Sequence, residues 1–263
     1  MSLLRAWVLG IPSYLWSGWG AVGSLFLLLA AWEWVSAVYG VLILPDPAST
    51  FSMLHQMLQS GAAWPELAVT ARRAMTGLAL AMVVGSVLGL AAGVSITASM
   101  MARPLVTVLL GTPPIAWLVL AMLWFGASDG TPVFTVFIAC FPVVFVSALQ
   151  GARTLDHHLK DMAQAFRLTR RMKLWDLYLP HVVSYLFPAF ITALGTAWKV
   201  VVMAELLASS NGVGAALAVS RAQLDTTATL AWICAVVGIL LAVEYLLLEP
   251  LKREVEHWRS TGE

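Results

Sequence analysis

Long runs of apolar residues, separated by short polar stretches, are the dominant pattern of this chain. A helix needs about 20 apolar residues to cross the hydrocarbon core of a bilayer. Six stretches are long enough, and they cover residues 20–44, 74–98, 104–126, 131–150, 182–208 and 227–249. The pattern therefore predicts an all-α membrane protein with about six transmembrane helices, which form one domain over residues 20–250.

The segments that flank this domain have a different character. Residues 1–19 contain one basic residue, Arg5, and Pro12 among several Trp and Tyr side chains. This is typical of a segment that lies along the membrane interface, and we expect it to be retained rather than cleaved. The charged residues of 251–263 predict a cytoplasmic tail.

Composition supports a membrane protein and narrows its chemistry. The chain is 60% hydrophobic and 11% charged, whereas soluble domains have about 25% charged residues. Its net charge of +1 offers little electrostatic attraction to nucleic acid. The sequence contains no phosphate-loop, catalytic-triad or zinc-ligand spacing, so we expect no enzyme activity and no cofactor in this chain. Cys140 and Cys234 lie in apolar runs and are interpreted as small buried hydrophobic residues.

The distribution of basic residues predicts the orientation. If both ends are cytoplasmic, eleven of the 15 Lys and Arg residues lie inside and three (Arg72, Arg73 and Arg221) lie outside, while Lys199 falls within a span. The positive-inside rule therefore favours an N-in/C-in arrangement. Two longer connections result: residues 45–73 outside, with an amphipathic segment near Phe51, and residues 151–181 inside.

Glycine and proline positions suggest how the spans pack. Gly85, Gly89 and Gly93 recur every four residues in the second span and predict a face that another helix can approach closely. Pro113 and Pro114 interrupt the third span, and we interpret this break as a packing kink rather than a binding site.

The cytoplasmic connection contains the stretch DMAQAFRLTRRMKLWDLYLP, from Asp161 to Pro180. Its pattern predicts a short helix across the cytoplasmic mouth, with Met162, Ala165 and Phe166 on its apolar side. Pro180 suits the first turn of the fifth span, where its missing N–H costs little. The residues alone fit a docking helix and an ordinary interfacial loop equally well.

This stretch resembles the "EAA" loop of binding-protein-dependent ABC importer permeases. Asp161, Ala163 and Leu179-Pro180 match the acidic residue, the second small residue and the closing Leu-Pro of that motif, whereas Met162 and Arg167 replace its first alanine and its glycine. Three further segments are similar to the nitrate/sulfonate/taurine branch: LPDPAST, TPPIAWLVLAMLWFG (112–126) and ALGTAWKVVVMAELLASSNGVGAAL (193–217). The resemblance covers nearly the whole chain.

The resemblance implies a type I ABC importer permease fold and a function as the membrane-spanning subunit of an ATP-driven importer. It implies a coupling loop, about residues 158–180, that docks on a separate ATPase, which would bind the ATP and Mg²⁺. The implied coupling residues are Asp161, Met162, Ala163, Ala165, Phe166, Arg167, Leu179 and Pro180. Because arginine does not adopt a positive φ as easily as glycine, Arg167 leaves three outcomes open: a different turn, a specialised ATPase partner, or one half of an unequal permease pair.

The resemblance also implies three kinds of partner and a class of solute. The partners are the ATPase, a second permease copy (identical or related) and an external substrate-binding protein. The branch transports small anions such as nitrate, sulfonates and taurine, as well as vitamin precursors and aromatic acids. The binding protein sets most of the selectivity, so this chain does not identify its solute.

Two ionisable residues of the fifth span are candidates for the substrate pathway. Lys199 either attracts an anion in the pathway or pairs with Glu205 or Glu33 inside the bundle. Glu205 lies at the outer end of the span, where it either belongs to an outer gate or is a solvated carboxylate at a helix end.

Two other functions remain as alternatives. An ion-coupled secondary transporter predicts an inverted repeat, which the sequence does not show. A membrane enzyme predicts a cluster of His, Asp or Ser residues at membrane depth, whereas the five histidines fall in loops or at the edges of spans.

Overall fold

The computed structural model describes residues 19–243. The predicted interfacial segment before Trp19, Glu244 and the cytoplasmic tail lie outside these residues. The described helices of nine residues or more are α1 (Trp19–Tyr39), α2 (Pro47–Gln59), α3 (Ala63–Val94), α4 (Ile96–Gly111), α5 (Pro114–Phe125), α6 (Gly130–Arg153), α7 (His157–Ala165), α8 (Leu179–Ala208), α9 (Val213–Ala222) and α10 (Thr226–Val243). A helical turn (Arg170–Met172) and a π-helix (Lys173–Tyr178) lie between α7 and α8.

The number of membrane-spanning helices agrees with the sequence pattern. Within the described residues, five helices are long and apolar enough to cross a membrane: α1, α3, α6, α8 with the π-helix before it, and α10. A sixth span results if α4 and α5 count together. The prediction of an all-α protein with about six spans is confirmed.

The connection between the first two spans is shorter than its predicted range of 45–73. Its amphipathic segment is a helix, α2, whose first turn is capped by Asp46: the carboxylate accepts the N–H of Ser49 at 2.9 Å. Helix α3, however, begins at Ala63, so the placement of Arg72 and Arg73 in a loop is wrong. Polar groups in this first part of α3 are bonded to other helices, which a count of apolar residues cannot detect.

Helices α3 and α6 lie in close contact along the predicted glycine face. A Cβ atom at Gly89 would lie 2.4 Å from the carbonyl oxygen of Phe145, and one at Gly93 would lie 2.5 Å from the Cβ of Ala152. Gly77 and Gly85 face Val136 and Val144 in the same way. The prediction that this face serves helix packing is confirmed. Helix α8 packs against both α3 and α6. Its residues Ala193, Ala197 and Val201 belong to the same buried cluster as residues of those two helices.

The third predicted span is broken at Thr112-Pro113. Helices α4 and α5 meet at an angle of 93°, so the predicted break is confirmed but is far sharper than a kink. Pro113 and Pro114 have no N–H groups for a continuous helical ladder. The far end of α5 is held against α6, where the Thr131 hydroxyl donates to the carbonyl oxygen of Gly126 at 2.6 Å.

Candidate functional site

The segment between α6 and α8 begins with a short capped helix. The carboxylate of Asp156 accepts the N–H of His158 at 3.0 Å, and α7 runs from there to Ala165. The predicted helix over 161–180 is therefore displaced: it begins before Asp161, and its second half is a turn followed by the π-helix. The short helix lies where α6 ends and α8 begins, at the end of the bundle opposite to α9.

Helix α7 has one buried small residue and exposed apolar side chains. Ala163 is 1% exposed, so this position contacts the rest of the chain. Met162 and Phe166 are 46% and 75% exposed. Ala165, Asp161 and Arg167 are also exposed. The residues predicted for the apolar side thus point away from this chain and are available to a partner.

A Schellman turn ends α7. The N–H of Leu168 donates to Ala163 O at 3.0 Å, and the N–H of Arg167 donates to Gln164 O at 2.9 Å, which are the two bonds of that motif. Arg167 has φ +52°, a conformation that glycine adopts with least strain. Of the three outcomes open for Arg167, a different turn is therefore not the one observed. Arginine keeps the glycine-type turn at a conformational cost of about 1–2 kcal/mol.

The π-helix leads into α8 at Leu179 and Pro180. The N–H of Leu179 donates to Leu174 O, five residues back, and Pro180 has no N–H to donate. A proline ring would collide with the carbonyl four residues earlier in a regular α-helix, and the wider π-turn gives it room. Leu179 and Pro180 therefore mark an irregular joint within one continuous helical path.

A buried polar cluster occupies the opposite end of the bundle. Arg73 of α3 is 3% exposed and Glu205 of α8 is fully buried, and Arg73 Nη1 donates to Glu205 Oε1 at 2.8 Å. The other N–H groups of Arg73 donate to Asp129 and to the carbonyl and side-chain oxygens of Asn211. All five of its N–H donors have acceptors.

The remaining bonds of Glu205 hold the loop between α8 and α9. Glu205 Oε2 accepts from the Thr70 hydroxyl at 2.7 Å and from the N–H of Gly214 at 3.2 Å. Gly212, with φ +97°, passes so close to Glu205 that a Cβ would lie 2.4 Å from the carboxylate. Its N–H donates to Glu66. The loop is thereby fixed to both α3 and α8.

Asp129 completes the charge balance from the connection between α5 and α6. Its carboxylate is about half exposed and also pairs with Arg72. The hydrogen bonds from Arg73 hold the pKa of Asp129 below its ordinary value. Since a lowered pKa favours the charged form, Asp129 stays ionised at neutral and mildly acidic pH and helps to neutralise the buried guanidinium.

The structure separates the two ionisable candidates of the fifth span. Glu205 is not a solvated carboxylate, because it is fully buried against Arg73. Lys199 is exposed, and within the described residues it forms no ion pair with Glu205 or Glu33. The partners of Glu205 were not predicted. The sequence contains one signal for this cluster, the arginine pair directly before an apolar run, but the prediction placed both arginines in a loop.

Lys199 belongs to a polar stripe on the exposed side of α8. Thr192, Thr196 and Lys199 follow the helical repeat, and all three are exposed or half-buried. A Cβ at Gly195, on the same side, would meet no atom within 4 Å. Much of the remaining exposed surface of the described helices is apolar, so this stripe is a different kind of surface.

Comparison with known proteins identifies the family. The model of the family described as "binding-protein-dependent transport system inner membrane component" matches residues 61–251. The chain belongs to this family. It is a permease subunit of an ABC importer and a multi-pass inner-membrane protein. Among the described residues, no group of His, Cys, Asp and Glu is placed to hold a metal ion.

Several curated permeases are similar over most of their length. The taurine transport system permease protein of Escherichia coli is 29% identical over 91% of this chain and 90% of its own length. A putative aliphatic sulfonates transport permease protein of Bacillus subtilis is 27% identical, with coverages of 90% and 86%. A nitrate import permease protein of Synechococcus elongatus is 24% identical, and each chain is covered over 73%.

We predict that Glu205→Gln lowers the stability of the permease by about 3–5 kcal/mol, since it leaves the buried Arg73 charge without a buried counter-ion. Thermal unfolding in detergent measures the effect. Glu33→Gln, the same change at an exposed position of α1, is the control and should unfold like the unaltered chain. Equal melting temperatures for the two variants would contradict a stabilising role for the cluster.

We further predict that Arg167→Gly raises the free energy of unfolding by up to about 1 kcal/mol, because glycine adopts the positive φ without strain. Arg171→Gly is the matched control: it removes the same side chain from a helical turn, where glycine costs stability. Limited proteolysis of the segment compares them. A glycine at 167 that is cleaved as fast as one at 171 would argue against strain at Arg167.

Proposed function

We propose that α7 docks on a separate ATPase subunit and transmits its movements to the membrane helices. The observation that carries this proposal is a short capped helix with exposed Met162 and Phe166, joined at both ends to the long helices α6 and α8. A soluble partner could bury both apolar side chains. The proposal includes the N-in/C-in orientation, which places this segment in the cytoplasm with most of the basic residues.

The segment has the properties that such a contact needs. The Asp156 cap and the Schellman turn fix both ends of α7, so a push on the helix is not absorbed by fraying. Ala163 packs against the rest of the permease while Met162 and Phe166 stay outward. The proposed coupling residues remain Asp161 to Ala163, Ala165 to Arg167, and Leu179-Pro180, with the last pair at the joint to α8.

ATP hydrolysis belongs, in this proposal, to the partner and not to the permease. The ATPase binds ATP and Mg²⁺, and its closure moves the docked helices. A second permease copy, identical or related, completes the pore, since six helices rarely enclose a solute path and also gate it. The substrate-binding protein approaches the end that contains the Arg73–Glu205 cluster.

We propose that the polar stripe of α8 lines the solute path between the two copies. An unpaired lysine that faced lipid would be costly, so Lys199 faces water or a partner. The positive charge of Lys199 favours a small anion, whereas the hydroxyl groups of Thr192 and Thr196 donate to backbone carbonyls of α8 and make the stripe polar without adding charge. Relatives named for taurine, aliphatic sulfonates and nitrate support this class of solute.

Glu205 acts on the path indirectly in this proposal. Its carboxylate is fully used by Arg73, Thr70 and Gly214, so it does not meet the solute in the described conformation. Instead it holds the loop over residues 209–212 in place at the outer end of the path, where the binding protein would deliver the solute.

We predict that Phe166→Asp reduces the amount of ATPase that co-purifies with the permease at least tenfold, since buried aromatic anchors commonly contribute about 2 kcal/mol or more to an interface. Val219→Asp is the control: Val219 is also apolar and exposed, but it lies on α9 at the other end of the bundle. If both variants lose the ATPase equally, or neither does, docking through α7 is wrong.

We predict that Lys199→Met lowers ATP-dependent uptake of taurine, nitrate or an alkanesulfonate several-fold, because the charge that attracts the anion is lost. Lys199→Arg, which keeps the charge, should retain most of the uptake. Proteoliposomes with the ATPase and binding protein provide the measurement. Unchanged uptake by Lys199→Met, with a lower melting temperature, would assign Lys199 a structural role. Uptake without ATP would instead indicate a secondary transporter.

A further inference from the structure

We propose that Thr154, His181 and Tyr185 form a hydrogen-bonded connection between α6 and α8. This connection positions the coupling segment, so that a movement of α7 is transmitted to both long helices together. These three residues are called the root cluster below. The inference rests on the proposed function of α7 and adds positioning residues to it. None of the three belongs to the motif through which the loop was identified.

The root cluster joins the two points at which the segment leaves and re-enters the bundle. Thr154 caps the end of α6, with its N–H donating to Gln150 O at 2.9 Å. Its hydroxyl oxygen lies 2.8 Å from the Tyr185 hydroxyl and 3.3 Å from His181 Nε2, both in the first turns of α8. The rings of His181 and Tyr185 lie beside each other, with centroids 5.4 Å apart.

The Thr154 hydroxyl lies within hydrogen-bond distance of groups on both helices. It donates to the Tyr185 hydroxyl, and its oxygen also lies close to His181 Nε2 on the same helix. The carbonyl oxygen of Gln150, one turn back on α6, is 2.9 Å away. A single hydroxyl group thus connects the last turn of α6 with two positions on α8.

The backbones of α6 and α8 are already close beneath these bonds. A Cβ at Gly151 would lie 3.0 Å from the Cα of Val182 and 3.2 Å from the Tyr185 ring. Ala148, Ala152 and Val182 are almost fully buried there. This apolar contact keeps the helices adjacent but does not resist sliding along their axes. Directional hydrogen bonds to Thr154 fix the register.

The position of the root cluster explains why the coupling segment needs it. The capped start of α7 follows Thr154 by two residues, and the π-helix ends three residues before His181. A π-helical turn is a less regular joint than an α-helix, so a push on α7 could be lost as bending near Pro180. With Thr154 hydrogen-bonded to Tyr185, the end of α6 and the start of α8 move as one body, and a displacement of α7 shifts both helices together.

The test compares Tyr185→Phe and Thr154→Val with two controls in the complete transporter, purified with its ATPase and reconstituted with the binding protein. Tyr39→Phe removes the same hydroxyl group from an exposed tyrosine at the end of α1, for which no hydrogen bond is found within the described residues. Thr154→Ser keeps the hydroxyl group. The measured quantity is solute imported per ATP hydrolysed, with whichever of taurine, nitrate and ethanesulfonate the unaltered complex imports.

We expect Tyr185→Phe and Thr154→Val each to lower this ratio roughly fivefold, the factor that about one lost hydrogen bond gives, while the ATPase stays bound and ATP hydrolysis continues. The double variant should be no worse than Thr154→Val alone, since that change already removes the bond to Tyr185. Thr154→Ser and Tyr39→Phe should keep the ratio of the unaltered complex. A purely stabilising role would change the melting temperature without changing the ratio.

The outcomes separate this inference from the proposed function. If the unaltered complex couples import to ATP but Tyr185→Phe and Thr154→Val couple equally well, the root cluster is not a positioning device. If the unaltered complex does not bind the ATPase or imports no solute with ATP, the proposed function fails first, and this inference with it.

Discussion

The close contact between α3 and α6 is the interaction on which the rest of this bundle depends. Lipid tails are as apolar as the side chains, so the hydrophobic effect offers little reason for two helices to associate within a bilayer. Close backbone approach provides one, because it multiplies van der Waals contacts. Four glycines on α3 allow it, and α6 then presents its other sides to α8, α5 and α4. Helix α6 therefore lies at the centre of the described bundle. It begins beside the buried polar cluster, after Asp129, and ends beside the root cluster, at Thr154.

The two ends of the bundle differ in rigidity. At one end, Arg73 and Glu205 are buried with every donor of the guanidinium satisfied, and the loop between α8 and α9 is bonded to both neighbouring helices. At the other end, a capped helix, a strained turn and a π-helix follow one another outside the core. The two ends therefore differ in where their polar groups lie: within the buried core at one end and on an exposed segment at the other.

Arg167 shows that a motif can persist after its most characteristic residue is lost. The paired hydrogen bonds of the Schellman turn depend on backbone geometry, and they form with arginine at the position of the family's glycine. The strain is local and is offset by the cap and by the burial of Ala163. In this chain the segment makes the turn with the apolar side chains of Met162 and Phe166 outward.

Local patterns in the sequence determined the membrane spans and their approximate number, the glycine face of the second span, the break at Pro113-Pro114 and the family. Each of these depends on residues near one another along the chain, on the bilayer thickness or on a motif. The partners of Glu205, the turn at Arg167 and the root cluster were decided only by the tertiary structure. Arg73 and Glu205 are 132 residues apart in the sequence, and no periodic pattern of residues indicates that they are in contact. Where a charged helix extends beyond the apolar core, only the arrangement of its neighbours decides whether its arginine is solvated or buried in an ion pair.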